Sequence, residues 1–497
     1  MIIVVRRGVF TSKLRLKFDT LTRKDFFMLR KRHFLFSLIG CWLVLKTMPI
    51  LAIENRADRF VDMVERLDQI QKQHNIPAYA LVISDPQKVI FDQVRGVAES
   101  GSSEPVSQNA YFRIGSITKT FVALSALVAE SQGKLKLDEN IFKYLKKTTL
   151  KNKFEKDHPI TIAQLLEHSA GLTDMSKQEF DSNDVVTLEQ GLRRFESVRK
   201  TLWQPGTFNS YSNTGYGLAG RVLEVAMGAD INTVVTQLVF KPLEMSTATL
   251  IRSKNVKSQL VPGYQSDGTE LIPYWNMIYP SLGAINLRPR DMGKLLQLYL
   301  ARDSEIITAK MLHRQENPEA SLAAQNGLSY GYGPGLYQWY RNGYRFYGHG
   351  GDADGYLSHF GYQKDAKLGY FFVINTFNNR AKRAMKRVIE NFLIQELPKA
   401  QVMREVKSQL PRKFEGAYQS VTQRFFRPSF NLIQLRWQRG RLYINEGDED
   451  WQPLIYLGNG LFRRTFESQP SLIIFNHEDK TFLVGDEGNY QKRVLSE

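Results

Sequence analysis

The chain has a single cysteine, Cys41, and it falls within the first 52 residues. Downstream of it there is no disulfide, no thiol nucleophile and no thiolate metal site. No H-E-x-x-H or comparable histidine cluster occurs, so neither a metal nor an organic cofactor is expected. Low-complexity tracts are absent too, and 42% apolar, 24% charged and 12% aromatic residues describe a globular chain. At 497 residues it is too long for one ordinary domain, and two are expected. The formal net charge of +17 is unevenly spread. Residues 1–52 carry 11 Lys/Arg against 2 Asp/Glu, a net +9, and the other 445 residues carry 56 against 48, a net +8. A modest excess over so large a body does not argue for a nucleic-acid partner.

The strongly basic part is a leader. Leu29-Arg30-Lys31-Arg32-His33 precedes the apolar run Phe34 to Leu45, and Pro49-Ile50-Leu51-Ala52 follows. A basic start, a short apolar stretch and a small residue at the cut match a secretory signal cleaved near Ala52. An uncleaved anchor reaching Ile53 is the rival reading, although Lys46 interrupts it and the run is short for a bilayer. Leu38-Ile39-Gly40-Cys41 also resembles a lipoprotein cleavage site, against which stands the apolar continuation Trp42 to Leu45. The chain is therefore expected to be exported, to the periplasm or cell exterior, with inner-membrane attachment through the leader as the alternative. Export without disulfides leaves the cores to stabilise themselves, which domains of this size can do.

Along the chain, apolar spacing predicts a helix over 60–75 and paired strands over 78–83 and 89–94 around Asp85-Pro86. Helices are expected from Ser116 to Gly133 and over 161–168, 187–200, 214–227 and 290–301, with a polar loop over 173–184. Strands at 344–347, 356–362 and 368–376 and a helix over 381–396 follow. These elements describe an α/β (α+β) core in which one sheet gathers both ends of the domain. After about 411, short strand-like runs separated by Gly, Asn and Asp turns read as a small all-β barrel or sandwich.

Chemistry points to Ser116-Ile117-Thr118-Lys119. A hydroxyl and an amine three apart project from one helix face. A lysine kept neutral beside a serine can take its proton and make it a nucleophile. Such a site also needs a second proton-transfer group, an amide for the carbonyl and donors for an oxyanion. Tyr211 and Asn213, just before a helix, offer the first two, though the segment also reads as an N-cap and turn. Tyr347-Gly348-His349-Gly350-Gly351-Asp352 offers open backbone and a histidine donor at the rim, or simply a tight Gly-rich turn. His168, in Leu165-Leu166-Glu167-His168-Ser169-Ala170-Gly171-Leu172, is expected to pack behind the site.

The ordered set S-x-x-K, HSAGL, Y-S-N and HGG before a strand resembles the serine β-lactamase-related family over about 58–397. That family takes in class C β-lactamases, low-molecular-weight penicillin-binding proteins, esterases and D-amino-acid peptidases. The resemblance implies a β-lactamase/transpeptidase-like domain, with a central antiparallel sheet flanked by helices. It makes Ser116 the acylated nucleophile, Lys119 the general base, Tyr211 the proton shuttle and Asn213 the holder of carbonyl or lysine. Backbone N–H groups of Ser116 and Asp352 would form the oxyanion hole, beside Gly350 and Gly351. The third motif is K-T-G in true β-lactamases and is His349-Gly350-Gly351 here, without the fixed positive charge that meets a substrate carboxylate. Leu282, in Ser281-Leu282-Gly283-Ala284, stands where a glycine is usual. A D-amino-acid peptide or carboxyl ester is thus expected ahead of a β-lactam. β-Lactamase or D,D-carboxypeptidase activity is one alternative. A non-catalytic envelope protein, binding peptidoglycan or peptide or using its barrel to bind a partner, is another. The division implied is leader 1–52, hydrolase domain 58–397, linker 398–410 and accessory β domain 411–497. The partner is a small molecule or peptide, peptidoglycan-derived peptides among them.

Overall fold

The computed structural model describes residues 58–146, 149–406, 412–424, 431–447, 450–486 and 488–493. The leader, with Cys41 and the expected cut at Ala52, lies outside the described residues, as do 407–410 of the expected linker. The chain divides into two compact units, Met1–Glu65 and Arg66–Glu497. In the first, residues 58–65 are described and helical. Both sheets and the candidate site belong to the second.

Strand β1 (Ala78–Ser84) reads AYALVIS, and all seven residues are buried. An unbroken run of this kind suits a strand covered on both faces. It pairs antiparallel with β2 (Val89–Gly96) across a turn where the Asp85 carboxylate accepts from the Gln87 and Lys88 N–H groups. A separate two-stranded pair joins β3 (Phe112–Arg113) to β4 (Asn286–Leu287). Later come β5 (Tyr332–Gly333), β6 (Leu336–Arg341), β7 (Tyr344–Ala353), β8 (Tyr356–Gln363) and β9 (Leu368–Ile374). The main sheet runs β2-β1-β9-β8-β7-β6-β5, so an early strand lies beside the last one, and every pairing is antiparallel. Strands β5 and β6 were not legible, because Gly333-Pro334-Gly335 breaks their alternation.

Helix α1 (Thr118–Ser131) is buried at every residue from Thr118 to Ala129, as befits a helix without a charged face. It ends in a Schellman arrangement: Gly133, at φ +69°, donates to the Glu130 carbonyl and Lys134 to the Ala129 carbonyl. Helix α2 (Asn213–Met227) is capped by Ser212, whose Oγ accepts from the Gly215 N–H at 3.1 Å, and packs on α1. Helices α3 (Met292–Ala301) and α4 (Asn379–Ile394) cover the sheet, α3 at β1, β8 and β9 and α4 at β8 and β9. Two expectations are corrected. The helix expected over 187–200 breaks into Leu188–Arg194 and a single tight turn, Glu196–Val198. Buried Arg199 donates to the Leu192 carbonyl, which a continuing helix would have used. The expected loop over 173–184 contains a helix, Lys177–Asp181, started by a capping box between Ser176 and Glu179.

The C-terminal strands are β10 (Gly416–Ser420), β11 (Leu432–Gln438), β12 (Arg441–Asn445), β13 (Gln452–Pro453), β14 (Ile455–Gly458), β15 (Leu461–Arg463), β16 (Leu472–His477), β17 (Lys480–Gly485) and β18 (Gly488–Lys492). They form one antiparallel sheet curled into a near-closed barrel. Strand β11 alternates exposed and buried, as a one-sided strand should. Strand β16 does not, and Leu472 to Phe475 are all buried. Leu472 and Ile474 fill the barrel, while Ile473 and Phe475, with Phe482 and Val484, join Ala323, Leu328 and Tyr330 from the part of the chain that carries the main sheet. That outer apolar face is thus buried within the chain rather than offered to a partner. Among the described residues no single helix is long and apolar enough to cross a membrane.

Candidate active site

From β3 the chain enters a tight turn, Gly115–Ile117, and continues into α1. Gly115 has φ +52°, and a Cβ there would stand 2.8 Å from backbone atoms of Asp352. Only glycine meets both demands. From the other side β7 presses on the same turn: a Cβ at Gly351 would lie 1.8 Å from the Ile114 carbonyl oxygen. The Ser358 hydroxyl lies against both neighbours, 2.9 Å from the Ile114 carbonyl and 3.3 Å from that of Gly351. His349-Gly350-Gly351 therefore lies inside strand β7, Gly350 opposite His359 and Gly351 opposite Ser358, and is not a turn. This close seam places the backbone of Asp352 against Gly115, the residue before Ser116. At the rim, the Asp352 carboxylate is ion-paired with Lys382.

Lys119, in the first turn of α1, is fully buried. Its Nζ lies 3.0 Å from Ser116 Oγ and donates to the Leu282 carbonyl at 2.7 Å. The rings of Tyr211 and Tyr216 lie 5.0 and 5.5 Å away. Burial drives its pKa well below that of an ordinary lysine; Arg424 pushes the same way, while Asp174 and Asp352 oppose. Desolvation thus favours the neutral amine, with one N–H on Leu282 and Nζ within hydrogen-bond reach of Ser116 Oγ.

Tyr211 approaches from the segment before α2. Burial raises its hydroxyl well above the ordinary phenol range, with a hydrogen bond to Ser116 and the charge of Arg424 working against that rise. Asn213 opens α2. Its backbone N–H donates to Asp174 Oδ1 at 2.8 Å and its Nδ2 to Asp174 Oδ2 at 3.2 Å, while its own Oδ1 has no partner among the described residues. The amide group is held by a carboxylate that the motif itself does not contain.

His349 sits in the wall, buried. Its Nδ1 bonds the Gly350 carbonyl, which can only accept, so that nitrogen carries the proton. Its Nε2 then accepts from the Tyr332 hydroxyl, 2.6 Å away. Burial lowers its pKa to about 3, so the ring is neutral. The N–H expected at the rim is engaged by Gly350. His168 packs behind Tyr211 with ring centroids 4.2 Å apart, and its Nδ1 accepts from the Ser212 N–H at 3.0 Å.

Ser116, Lys119, Tyr211, Asn213, His349, Gly350, Gly351 and Asp352 are thus brought to one place. Residues that sequence reasoning missed stand among them. Asp174 follows HSAGL-Thr directly, and its adjacency to that motif was a usable signal. Tyr216, three residues after Asn213, shares its helix face. Tyr332 comes from the illegible strand β5. Arg424, which donates from Nε to Asp174 Oδ2 at 2.8 Å and lies 4.7 Å from the Tyr211 ring, comes from the segment after β10, and nothing in its surroundings marks it. Among the described residues no group of three or more His, Cys, Asp or Glu could hold a metal ion. The site brings together a hydroxyl, a desolvated amine and a phenol, groups suited to acyl transfer.

Comparison with known proteins agrees. The Beta-lactamase family model matches residues 63–393. The chain is 28% identical over 331 residues to Beta-lactamase-like protein 4 of Dictyostelium discoideum, covering 61% of this chain and 57% of that one. It is 24% identical over 312 residues to Penicillin-binding protein 4 of Amycolatopsis lactamdurans, covering 59% and 80%. In structure it resembles the octameric penicillin-binding protein homologue from Pyrococcus abyssi, with a TM-score of 0.59 at 19% identity. That superposition covers 87% of this chain and 100% of the other, and at such identity it speaks for the fold alone.

Proposed function

The chain belongs to the beta-lactamase family and is a serine-hydrolase-type enzyme, and from that premise we propose that Ser116 forms an acyl-enzyme with an ester or amide substrate. The observation that carries this reading is the buried Lys119 amine, 3.0 Å from Ser116 Oγ and with Leu282 as its other partner. Neutral Lys119 takes the Ser116 proton as Oγ bonds to the carbonyl carbon, and the carbonyl electron pair moves onto oxygen, facing the N–H groups of Ser116 and Asp352. As the tetrahedral species collapses, the bond to the leaving oxygen or nitrogen breaks. That atom takes the Tyr211 proton, and Tyr211 recovers one from the Lys119 ammonium. Water repeats the sequence on the acyl ester, giving its proton to the same Tyr/Lys pair and releasing the acid and free Ser116. Asn213 and Gly350-Gly351 flank the bound acyl group.

A D-amino-acid peptide or carboxyl ester is the favoured substrate, because neutral His349 stands where a β-lactamase presents a lysine. Export, and release into the periplasm or cell exterior, is the setting the basic leader suggests. Intact mass after incubation with a fluorophosphonate, and separately with a penicillin, tests the reading against Ser116→Ala. A fluorophosphonate adduct that vanishes in the variant is expected, with little or no penicillin adduct. Folded wild-type protein that takes neither label would refute it and favour a non-catalytic peptide-binding role.

A further inference from the structure

The carboxylate that holds Asn213 is itself held from outside the hydrolase fold. Asp174 is fully buried, and its oxygens accept from the Asn213 backbone and side chain and from the Met175 N–H. Among the described residues the one cation paired with it is Arg424, at 2.8 Å. The attachment is two-sided, since the Asp174 N–H donates to the Arg424 carbonyl at 2.7 Å. Neighbouring bonds tie this segment and strand β18 to the Tyr211 loop. Ser210 Oγ donates to the Gln423 carbonyl at 3.3 Å, and Asn489 Nδ2 to the Asn209 carbonyl at 2.6 Å. The Arg424 guanidinium also lies over the Tyr211 ring.

We propose that the C-terminal barrel completes the acyl-transfer site: Arg424, through Asp174, fixes Asn213 and the Tyr211 loop in the geometry that catalysis uses. A buried carboxylate left without its cation is strongly disfavoured, so Asp174 without Arg424 would rotate or draw water, and Asn213 would lose its anchor. Arg424 and Asp174 are positioning residues, acting through Asn213 and Tyr211. They also set the local field. Lys119 is faced by Asp174 and Asp352, which favour its charged form, and by Arg424, which opposes it, with the rings of His168, His349, Tyr211 and Tyr216 around it. The barrel is on this account part of the enzyme and not an appendage. Its effect on rate rests on the hydrolase reading; its hold on the loop does not.

The test uses the full chain and two readouts, hydrogen exchange over residues 209–216 and the pH dependence of fluorophosphonate labelling at Ser116. Arg424→Ala is expected to speed exchange at the Asn213 amide and slow labelling by about tenfold or more, the scale of one charged hydrogen bond. It should also move the acid limb of labelling to higher pH, since a positive charge near Lys119 is gone. Asp174→Asn should move that limb to lower pH, and Arg424→Lys should restore most of the exchange protection and rate. A merely structural contact would lower the folded fraction without opposite limb shifts. Unchanged exchange and labelling in folded Arg424→Ala, or limb shifts of the same sign in Arg424→Ala and Asp174→Asn, would overturn the proposal. Wild type that exchanges slowly here but takes no label would defeat the hydrolase reading, and the clamp would then be decided by exchange alone.

Discussion

Gly351→Ala is the sharpest perturbation of the seam between β7 and the Ser116 turn. The new Cβ would fall 1.8 Å from the Ile114 carbonyl oxygen, where contacts under 3.0 Å essentially never occur. Strand and turn must part by at least about 1.2 Å to relieve it, since the nearest atom is backbone, and the Ser358 hydroxyl, 2.3 Å from the new Cβ, must move as well. Overpacking of this kind costs about 1–3 kcal/mol. The Ser358 hydroxyl bond to Ile114 adds about 1 kcal/mol when it stretches. A loss of about 2–4 kcal/mol in urea unfolding is therefore expected. Activity should suffer more, because the parting separates the Ser116 and Asp352 N–H groups. Misplacement of an oxyanion donor by this distance lowers rate by roughly 100- to 1,000-fold. The assay is fluorophosphonate labelling at a temperature where the variant is folded. Gly350→Ala is the internal control: its Cβ meets nothing nearer than the Tyr337 hydroxyl at 3.1 Å, so it should unfold within about 1 kcal/mol of wild type. Gly351→Ala that is folded and labels within tenfold of wild type would refute the assignment of this seam to the oxyanion site.

Three further outcomes follow from the buried groups. Lys119→Met should abolish labelling yet raise the melting temperature at pH 7. A lysine whose pKa is depressed in the fold loses stability as pH falls from its ordinary value toward the depressed one, and the variant removes that loss. A melting temperature lowered at pH 7 would count against a neutral amine. His349→Gln should flatten the pH dependence of stability. The wild-type histidine contributes stability that is full above about pH 6.5 and is lost as pH falls toward about 3, with a slope near 1.4 kcal/mol per pH unit. Identical slopes for the two proteins in chemical unfolding between pH 4 and 6 would show that this ring is not held neutral. Arg314→Ala should cost about 3–5 kcal/mol in urea unfolding, because it leaves buried Glu167 without its cation beside the Glu319 and Ala320 N–H groups. A loss under 1 kcal/mol would mean that Glu167 is protonated in the fold.

Much of this was legible where the physics is local. The i, i+3 placement of Ser116 and Lys119 follows from helix geometry, and the stripe of Phe121, Leu124, Leu127 and Val128 marked that helix as core. Strand β1 announced itself by an unbroken apolar run. In the same way β16, read only as strand-like, carried in Leu472 to Phe475 the trace of a second buried face. Legibility failed where a distant group overrode a local pattern. Arg199 cut short a helix whose sequence favours continuing. His349-Gly350-Gly351 became strand because the Ile114 turn demands a surface without side chains, a demand written more than 200 residues away.

The sequence alone determined that a hydroxyl and an amine three residues apart open a buried helix, that the His349-Gly350-Gly351 segment has no lysine, and that a β domain follows. Side-chain identity and short-range spacing suffice for such statements. Only the tertiary structure decided that Lys119 and His349 are poised to be neutral, that Asn213 answers to Asp174, and that Arg424 reaches the site from 250 residues beyond Asp174. Desolvation and Coulomb interaction depend on distance in space and on the exclusion of water, and neither can be read along a chain.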